Sequence, residues 1–175
     1  MKKLIFALCF ALVSLCGMAR NEGDMAVGAH IGVHPVLNDN VNVTNFGFGL
    51  KFQYNVNEPV RLEAAFDYLF RDNGVDAITL AVNAHYIADL GNNFSIYPVV
   101  GLGYGNVGGL AYEIKNFGQP GMTVESKSLN RFLFNIGVGA EYELNSSISL
   151  GMEFKYRYMK DFSALPLTLG VTYHF

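Results

Sequence analysis

Apolar and polar residues alternate along most of this chain with a period of two residues. Between Asn45 and Tyr54 the even-numbered positions are large and apolar, and the odd-numbered positions are Asn, Gly, Lys and Gln. Helical spacing, with apolar residues three or four positions apart, is hard to find. Because successive side chains of a β-strand point to opposite faces, the pattern predicts strands with one apolar face and one polar face.

Eight segments follow this pattern and together predict an all-β fold: residues 27–34, 45–54, 60–70, 78–86, 94–104, 131–142, 148–158 and 165–175. The connections 55–59, 89–93 and 145–147 are short and rich in turn-forming residues. Between them come longer connections, above all 35–44 and 106–128, with 71–75 and 160–164 intermediate. Short turns at one end and longer loops at the other predict an eight-stranded antiparallel up-and-down transmembrane β-barrel.

Aromatic residues fall at two levels of this predicted barrel. If odd-numbered strands leave the short-turn end and even-numbered strands return, aliphatic side chains occupy the band between the two levels. Two aromatic girdles around an aliphatic band are typical of a barrel in a membrane, whereas a soluble sandwich has no reason for this order. The short-turn level holds Tyr54, Tyr86, Phe94, Tyr142, Tyr173 and Phe175, and the long-loop level holds Phe46, Tyr68, Phe70, Tyr104, Phe132, Tyr156 and Tyr158.

The start of the chain predicts a secretory signal peptide. Two lysines precede an apolar run over residues 4–15, which is shorter than the roughly 20 residues of a membrane-spanning helix. We expect cleavage after Ala19, which leaves residues 20–175 as the barrel. Both cysteines, Cys9 and Cys16, lie in the leader, so the mature chain has no disulfide and no thiol chemistry.

Charge argues against a nucleic-acid partner. Without the two leader lysines, 10 of the 12 basic residues remain against 15 acidic residues, a net charge of −5. Nucleic-acid-binding proteins carry basic patches, so an acidic exported chain does not match them.

The mature chain resembles the small eight-stranded outer-membrane β-barrel (porin-like) family, which includes the transmembrane domain of OmpA and OmpX. The signal peptide, the alternating strands and the terminal GVTYHF carry the resemblance. It implies a place in the outer membrane of a Gram-negative bacterium, among its lipid and lipopolysaccharide, with the last strand paired to the first. In that family a C-terminal Phe after alternating apolar residues is the signal that the outer-membrane assembly machinery reads, which implies this role for Tyr173 and Phe175.

The polar faces of the predicted strands carry basic and acidic residues in equal numbers. An eight-stranded barrel is only wide enough inside for side chains, and buried charges there must be paired. We interpret the set as a structural plug, with a narrow selective pore or a proton path as alternatives. The predicted lumen set is Lys51, Arg61, Arg131, Lys155 and Arg157 with Glu63, Asp67, Glu141, Glu143 and Glu153.

Turn lengths predict which of these residues face one another. Around the turn at 55–59, Lys51 comes opposite Glu63. Around the turn at 145–147, two glycines come opposite long side chains and leave room for them, with Gly139 opposite Glu153 and Gly137 opposite Lys155.

Candidate cofactor and metal sites are weak, and we predict neither. Gly103, Gly105 and Gly108 have the GxGxxG spacing of a nucleotide-binding loop, but no helix follows them. Four residues of strand separate His30 from His34 by roughly 13 Å, too far to share one ion. We therefore predict histidines that form hydrogen bonds inside the barrel.

Some eight-stranded barrels are lipid-modifying enzymes that use a serine and a histidine, which must lie within hydrogen-bond reach. The histidine nearest the long-loop end is His34, and no compact His-x-Ser arrangement accompanies it. Candidate partners in the neighbouring loops are Ser126, Ser128, Ser163, Asp39 and Asp161. The sequence therefore favours a non-enzymatic protein.

The longest connection lies between Asn106 and Ser128 and carries several apolar residues. Either they form a surface that binds a partner, or they pack on one another above the barrel. They include Tyr112, Ile114, Phe117 and Met122. We interpret the protein as an integral outer-membrane barrel that displays loops for surface interaction or envelope integrity. A small porin-like channel is the first alternative, and an outer-membrane lipid-modifying enzyme is the second.

Overall fold

The computed structural model describes residues 22–37, 43–115 and 123–175, with the backbone alone for 109–115 and 123–127. The predicted leader, residues 1–19, and the predicted loop residues Phe117 and Met122 lie outside this description. The described strands are β1 (Met25–Pro35), β2 (Thr44–Asn57), β3 (Val60–Asp72), β4 (Val75–Tyr86), β5 (Ala88–Asp89), β6 (Phe94–Lys115), β7 (Thr123–Asn145), β8 (Ile148–Met159) and β9 (Leu167–His174).

Eight long strands close into an antiparallel up-and-down barrel, which confirms the predicted fold class. Apart from β4 and β5, strands that are consecutive in the chain pair with each other, β9 pairs with β1, and β4 pairs with β6. The two-residue strand β5 pairs with the first residues of β6. Closure pairs both sides of each barrel strand, which is how a sheet avoids open edges. The described residues contain no helix that is long and apolar enough to cross a membrane.

The period-two pattern directs polar side chains into the barrel and apolar side chains out of it. On β2, burial alternates residue by residue, so that Lys51 and Gln53 are buried while Leu50 and Phe52 are exposed. Large apolar side chains cover the outer surface of the other long strands as well. A continuous exposed apolar surface of this kind marks a site of membrane or protein contact.

The aromatic side chains form two bands on that outer surface, as the sequence predicted. At one end, Phe46 of β2 stacks on Phe70 of β3 with ring centroids 6.1 Å apart. At the other end, Tyr173 and Phe175 stack at 6.4 Å. Exposed aliphatic side chains lie between the two bands.

One connection predicted to be intermediate in length is a tight turn. β3 and β4 are joined by Asn73 and Gly74, with φ values of 47° and 85°. A two-residue hairpin turn with both central residues in the left-handed region favours Asn-Gly. The strands here are longer than the alternation indicated, so this connection at the long-loop end is short.

The longest predicted loop is largely a β-hairpin, which corrects the prediction for residues 106–128. β6 and β7 stay paired as far as Lys115 opposite Thr123. A register shift between Val107 and Ala111 marks a bulge that accommodates the glycines at 108 and 109. Tyr112 and Ile114 therefore lie on strand β6. We call the paired segments 109–115 and 123–127 the β6–β7 hairpin and the end of the barrel that carries it the hairpin end.

Candidate functional site

A network of charged and polar side chains fills much of the barrel interior. Eight of the ten predicted lumen residues are buried there, none more than 7% exposed. Four are basic and four are acidic, so their formal charges cancel. They are Lys51, Arg61, Lys155 and Arg157 with Glu63, Asp67, Glu141 and Glu153.

The group nearest the hairpin end is centred on Asp67. Its Oδ2 accepts hydrogen bonds from Arg157 Nη2 at 2.6 Å and from Thr79 Oγ1 at 2.9 Å. His30 Nε2 lies 2.7 Å from Oδ1, so His30 is one of the predicted hydrogen-bonded histidines. Three partners around one carboxylate offset the cost of removing its charge from water.

The central group is built around Glu153. Its carboxylate accepts hydrogen bonds from Lys155 Nζ at 2.7 Å and from the Tyr97 hydroxyl at 3.1 Å. Lys51 Nζ lies between two carboxylates, 3.7 Å from Glu153 Oε1 and 4.0 Å from Glu63 Oε2. One ammonium group thus joins β2, β3 and β8.

A chain of amides connects the central group to the Asp67 group. Glu63 accepts hydrogen bonds from Gln53 Nε2 at 2.9 Å and Asn83 Nδ2 at 3.0 Å. Asn135 then donates to Asn83 Oδ1 at 3.0 Å and accepts from Arg157 Nε at 3.2 Å. These amides do not belong to the charged set that predicted the network, although each occupies an inward position of its strand.

The third group lies at the short-turn end. Arg61 Nη1 donates to Glu141 Oε2 at 2.9 Å, and the Ser149 hydroxyl donates to Oε1 of the same carboxylate. His174 Nε2 lies 2.9 Å from Ser149 Oγ. Although serine, histidine and glutamate meet here, Ser149 is fully buried and gives its proton to Glu141, whereas a nucleophile requires an accessible hydroxyl that is activated by the base.

A possible metal set in the interior does not have suitable donors. The nearest ligand atoms of Glu63, His85 and Glu153 lie within 4.8 Å of one another. However, His85 Nδ1 accepts a hydrogen bond from Arg61 Nε at 3.2 Å, so the neutral ring carries its hydrogen on Nε2 and offers no lone pair there. Lysine ammonium groups already neutralise both carboxylates.

An apolar layer lies beside the polar network at the hairpin end, and it was not among the features predicted from the sequence. On four strands, an inward apolar residue follows the polar network two positions closer to the hairpin end: Leu69, Ala77, Leu133 and Met159. Phe162, from the connection between β8 and β9, packs into this layer and is 3% exposed. A cavity of about 10 Å³ remains beside it, which is about the space of one water molecule.

Arg131 and Glu143 lie at the two rims, outside the network, which corrects their predicted placement. Arg131 is half-buried, and its Nη2 lies 3.3 Å from Asp161 Oδ2 at the hairpin end. Leu133 separates it from Asn135 along β7, so the apolar layer lies between Arg131 and the network. Glu143 is half-buried at the short-turn rim.

Two of the three predicted cross-strand pairs are confirmed. Gly137 lies opposite Lys155 and Gly139 lies opposite Glu153. A Cβ atom added at Gly139 would overlap with the ring of Tyr97. Glycine is therefore required at this position because an aromatic side chain from the neighbouring strand occupies the space.

The third predicted pair is wrong by two residues. Lys51 lies opposite Ala65, and Gln53 lies opposite Glu63. A bulge between Asn55 and Asn57 shifts the register next to the turn. Lys51 still reaches Glu63 diagonally because its side chain is long.

In the described part of the structure, the residues that could serve a lipid-modifying enzyme do not form a shared site. His34 is 2% exposed and faces the interior beside the apolar layer. The Ser163 hydroxyl donates to the backbone carbonyl of Met159 at 3.2 Å, and Asp161 pairs with Arg131. Asp39 and the side chain of Ser126 lie outside the description, and Ser128 is exposed.

Comparisons with known proteins agree with this architecture. The Neisserial surface protein A structure has a TM-score of 0.71 at 15% identity, with 88% of this chain and 100% of that chain covered. Ail of Yersinia pestis, in complex with the heparin analogue sucrose octasulfate, has a TM-score of 0.59 at 19% identity, covering 88% and 99%. The N-terminal β-barrel domain of Pseudomonas aeruginosa OprF has a TM-score of 0.58 at 15% identity, covering 89% and 100%.

Sequence comparison gives the family. No curated protein matches this sequence. The family model of the outer membrane protein beta-barrel domain matches residues 5–175, nearly the whole chain. The chain therefore belongs to the outer membrane protein β-barrel family and is a protein of the bacterial outer membrane.

Proposed function

We propose that this protein is a non-enzymatic outer-membrane barrel with a structural plug inside and an interaction surface on its β6–β7 hairpin. The short turns of outer-membrane barrels face the periplasm, which assigns the hairpin end to the cell exterior. The observation that carries the proposal is that the hairpin continues beyond the last pairings of the barrel wall.

The geometry of the hairpin leaves two strand edges open. Pairing between β4 and β6 ends at Gly108, and pairing between β7 and β8 ends at Leu133. Beyond these points the described parts of β6 and β7 pair only with each other, as far as Lys115 opposite Thr123. Seven residues of β6 add about 23 Å at roughly 3.3 Å per residue. An open edge is a template onto which an extended segment of a partner can add as a further strand.

Replacing residues 109–127 with a two-residue Asn-Gly turn tests this surface. Cells that display the wild-type barrel should adhere to cultured epithelial cells or immobilised matrix glycoproteins more than cells without it. The shortened variant should adhere no better than the cells without it, although heat-dependent gel mobility shows that it is folded. Arg71→Ala, an exposed change at the β3–β4 turn, is the control and should keep adhesion. Equal adhesion by the shortened variant would contradict the proposal.

The plug is supported by the contents of the interior. Its eight buried charges lie in paired groups, and the apolar layer covers them on the exterior side. A small pore, the first alternative, requires a continuous aqueous path through both layers. The filled interior favours the plug.

The remaining proposed partners follow from the family. Outer-membrane lipid and lipopolysaccharide would contact the apolar belt and its two aromatic bands. The assembly machinery would read Tyr173 and Phe175, which are exposed at 51% and 63% at the end of β9. We also propose that residues 1–19 are the leader and residues 20–175 the barrel.

A further inference from the structure

A groove crosses the outer wall of the barrel over β4, β6, β7 and β8. We propose that this groove binds an acyl chain of a phospholipid from the periplasmic leaflet, and that the acidic rim below it selects a headgroup with a free ammonium. We call it the lateral groove.

Short side chains between two larger ones form the lateral groove. Pro98 of β6 lies directly opposite Val138 of β7, and Phe154 of β8 forms one wall beside Val138. Tyr86 at the end of β4 forms the other wall, three strand spacings from Phe154, or about 14 Å at roughly 4.8 Å per strand. The groove has a volume of about 630 Å³, within the range of small-molecule sites.

The pairing of the backbone beneath the groove has a gap. Pairing between β4 and β6 ends at His85 opposite Val99 and resumes with β5 at Ala88 opposite Ile96. Pro98 lies in this gap and has no N–H to donate. The Ile87 N–H bonds to the β3 side of the strand, where the carbonyl of Pro59 accepts it at 2.8 Å. The depression is thus built into the backbone as well as the side chains.

The position of the groove identifies an acyl chain as its occupant. The groove lies in the lipid-facing belt, and its floor at Pro98 is only four residues along β6 from Phe94, which pairs with Tyr142 in the periplasmic aromatic band. It is therefore continuous with the lipid interface on the periplasmic side. Its lining is suited to a hydrocarbon chain: Tyr86, Ile96, Pro98, Val138, Ala140 and Phe154.

The charge of the adjacent rim indicates the headgroup. Glu58 comes directly before Pro59, whose carbonyl accepts the hydrogen bond from Ile87. Asp89 lies on β5 and Glu143 on β7, the strands that border the groove. Among the described residues at the periplasmic rim, no exposed lysine or arginine accompanies the acidic residues, which are Glu22, Asp24, Glu58, Asp89 and Glu143. Charge complementarity favours a zwitterionic headgroup with an exposed ammonium over an anionic one.

Native mass spectrometry of the delipidated barrel, titrated with phosphatidylethanolamine or phosphatidylglycerol, tests the proposal. The wild-type chain should retain the ethanolamine lipid more strongly than the glycerol lipid. Ala140→Phe fills the groove and should weaken retention about tenfold, equivalent to about 1.4 kcal/mol. Ala64→Phe, the same change at an exposed outward position of β3 away from the groove, should leave it unchanged.

The headgroup needs its own variant. Glu58→Gln, Asp89→Asn and Glu143→Gln together remove the charge. The carboxylate of Asp89 accepts a hydrogen bond from the Gly91 N–H at 2.7 Å, and the amide oxygen of the substituted side chain can still accept it. This variant should retain lipid but lose the preference for ethanolamine. An unchanged preference in this variant, or equal retention of the two lipids by the wild type, would overturn the headgroup assignment.

A second measurement remains decisive if Ala140→Phe does not fold. The chain has no tryptophan, so one introduced at Phe154→Trp, which keeps an aromatic wall and leaves the groove open, reports on the groove. A tryptophan at Leu50→Trp reports on ordinary lipid-facing wall. Brominated phosphatidylethanolamine, diluted in phosphatidylglycerol vesicles, should quench the first more than the second. Equal quenching, or equal retention of lipid by a folded Ala140→Phe, would overturn the groove as a lipid site.

Discussion

Arg157 and Asp67 join opposite walls of the barrel through a hydrogen bond of 2.6 Å between Nη2 and Oδ2. Their strands, β8 and β3, are four positions apart in the ring of eight. Both side chains are at most 5% exposed. A buried charge without its partner costs several kcal/mol, so the pair holds the two walls together only while both members remain charged and in contact.

Asp67→Asn should lower the free energy of unfolding by about 3–5 kcal/mol, because it leaves the buried Arg157 guanidinium without a counter-charge. Urea unfolding of the barrel in lipid vesicles measures this difference. Asp76→Asn removes the partner of Arg71 in an ion pair where Arg71 is 64% exposed, and should cost less than about 1 kcal/mol. If both variants lost the same small amount of unfolding free energy, the pair of Arg157 and Asp67 would not stabilise the barrel.

Gly139→Ala should destabilise the barrel by about 1–3 kcal/mol, because the added methyl group overlaps with the Tyr97 ring and disturbs its hydrogen bond to Glu153. Gly151→Ala is the matched control, since the nearest atoms to its added Cβ are 3.8 Å away. The same unfolding assay compares them. A Gly139→Ala barrel as stable as Gly151→Ala would contradict the packing described for Tyr97.

Phe162→Ala should destabilise the barrel by about 3–5 kcal/mol, because it leaves a cavity in the apolar layer. It should not make the barrel conduct, because the charge network below the layer stays intact. Phe162→Leu should lose less stability, since most of the buried volume is kept. Urea unfolding in vesicles measures the stability of both variants, and bilayer conductance shows whether either of them opens a channel. Conductance by Phe162→Ala alone would show that the apolar layer is the barrier.

Phe175→Ala should reduce assembly into the outer membrane of cells without preventing refolding in detergent. The side chain is exposed and stacks on Tyr173, while the Phe175 N–H pairs with the carbonyl of Met25 and does not depend on the ring. Membrane fractionation and heat-dependent gel mobility measure the two properties. Normal assembly of Phe175→Ala in cells would contradict the assembly role.

The strict alternation of apolar and polar residues made the barrel predictable, together with which side chains point inward and which point outward. The period of two fixes which side chains share a face, so the buried position of Lys155 and the outward position of Leu50 follow from parity alone. The pairs at Gly137 and Gly139 were predictable as well, because the register shift between Glu143 and Asn145 and the short turn after it together give the register that a three-residue turn would give.

The rest depends on irregularities that alternation does not encode. A bulge beside Asn55 shifted the β2–β3 register, and a second bulge after Val107 converted a predicted loop into a hairpin. The apolar layer was not predicted because a single inward apolar residue, such as Leu133 or Met159, does not indicate a layer. The layer becomes visible only when the heights of such residues along several strands of the barrel are compared. The lateral groove arises where Pro98 interrupts pairing between strands, which depends on tertiary structure.

We propose that the filled interior makes this barrel a scaffold and not a channel. Planar-bilayer conductance of residues 20–175, refolded in detergent and shown to be folded by heat-dependent gel mobility, tests this proposal. We predict no discrete channels from folded protein, with conductance indistinguishable from protein-free detergent. Reproducible single-channel steps that disappear when the protein is heat-unfolded would contradict the plug and make the interior charges residues of a pore.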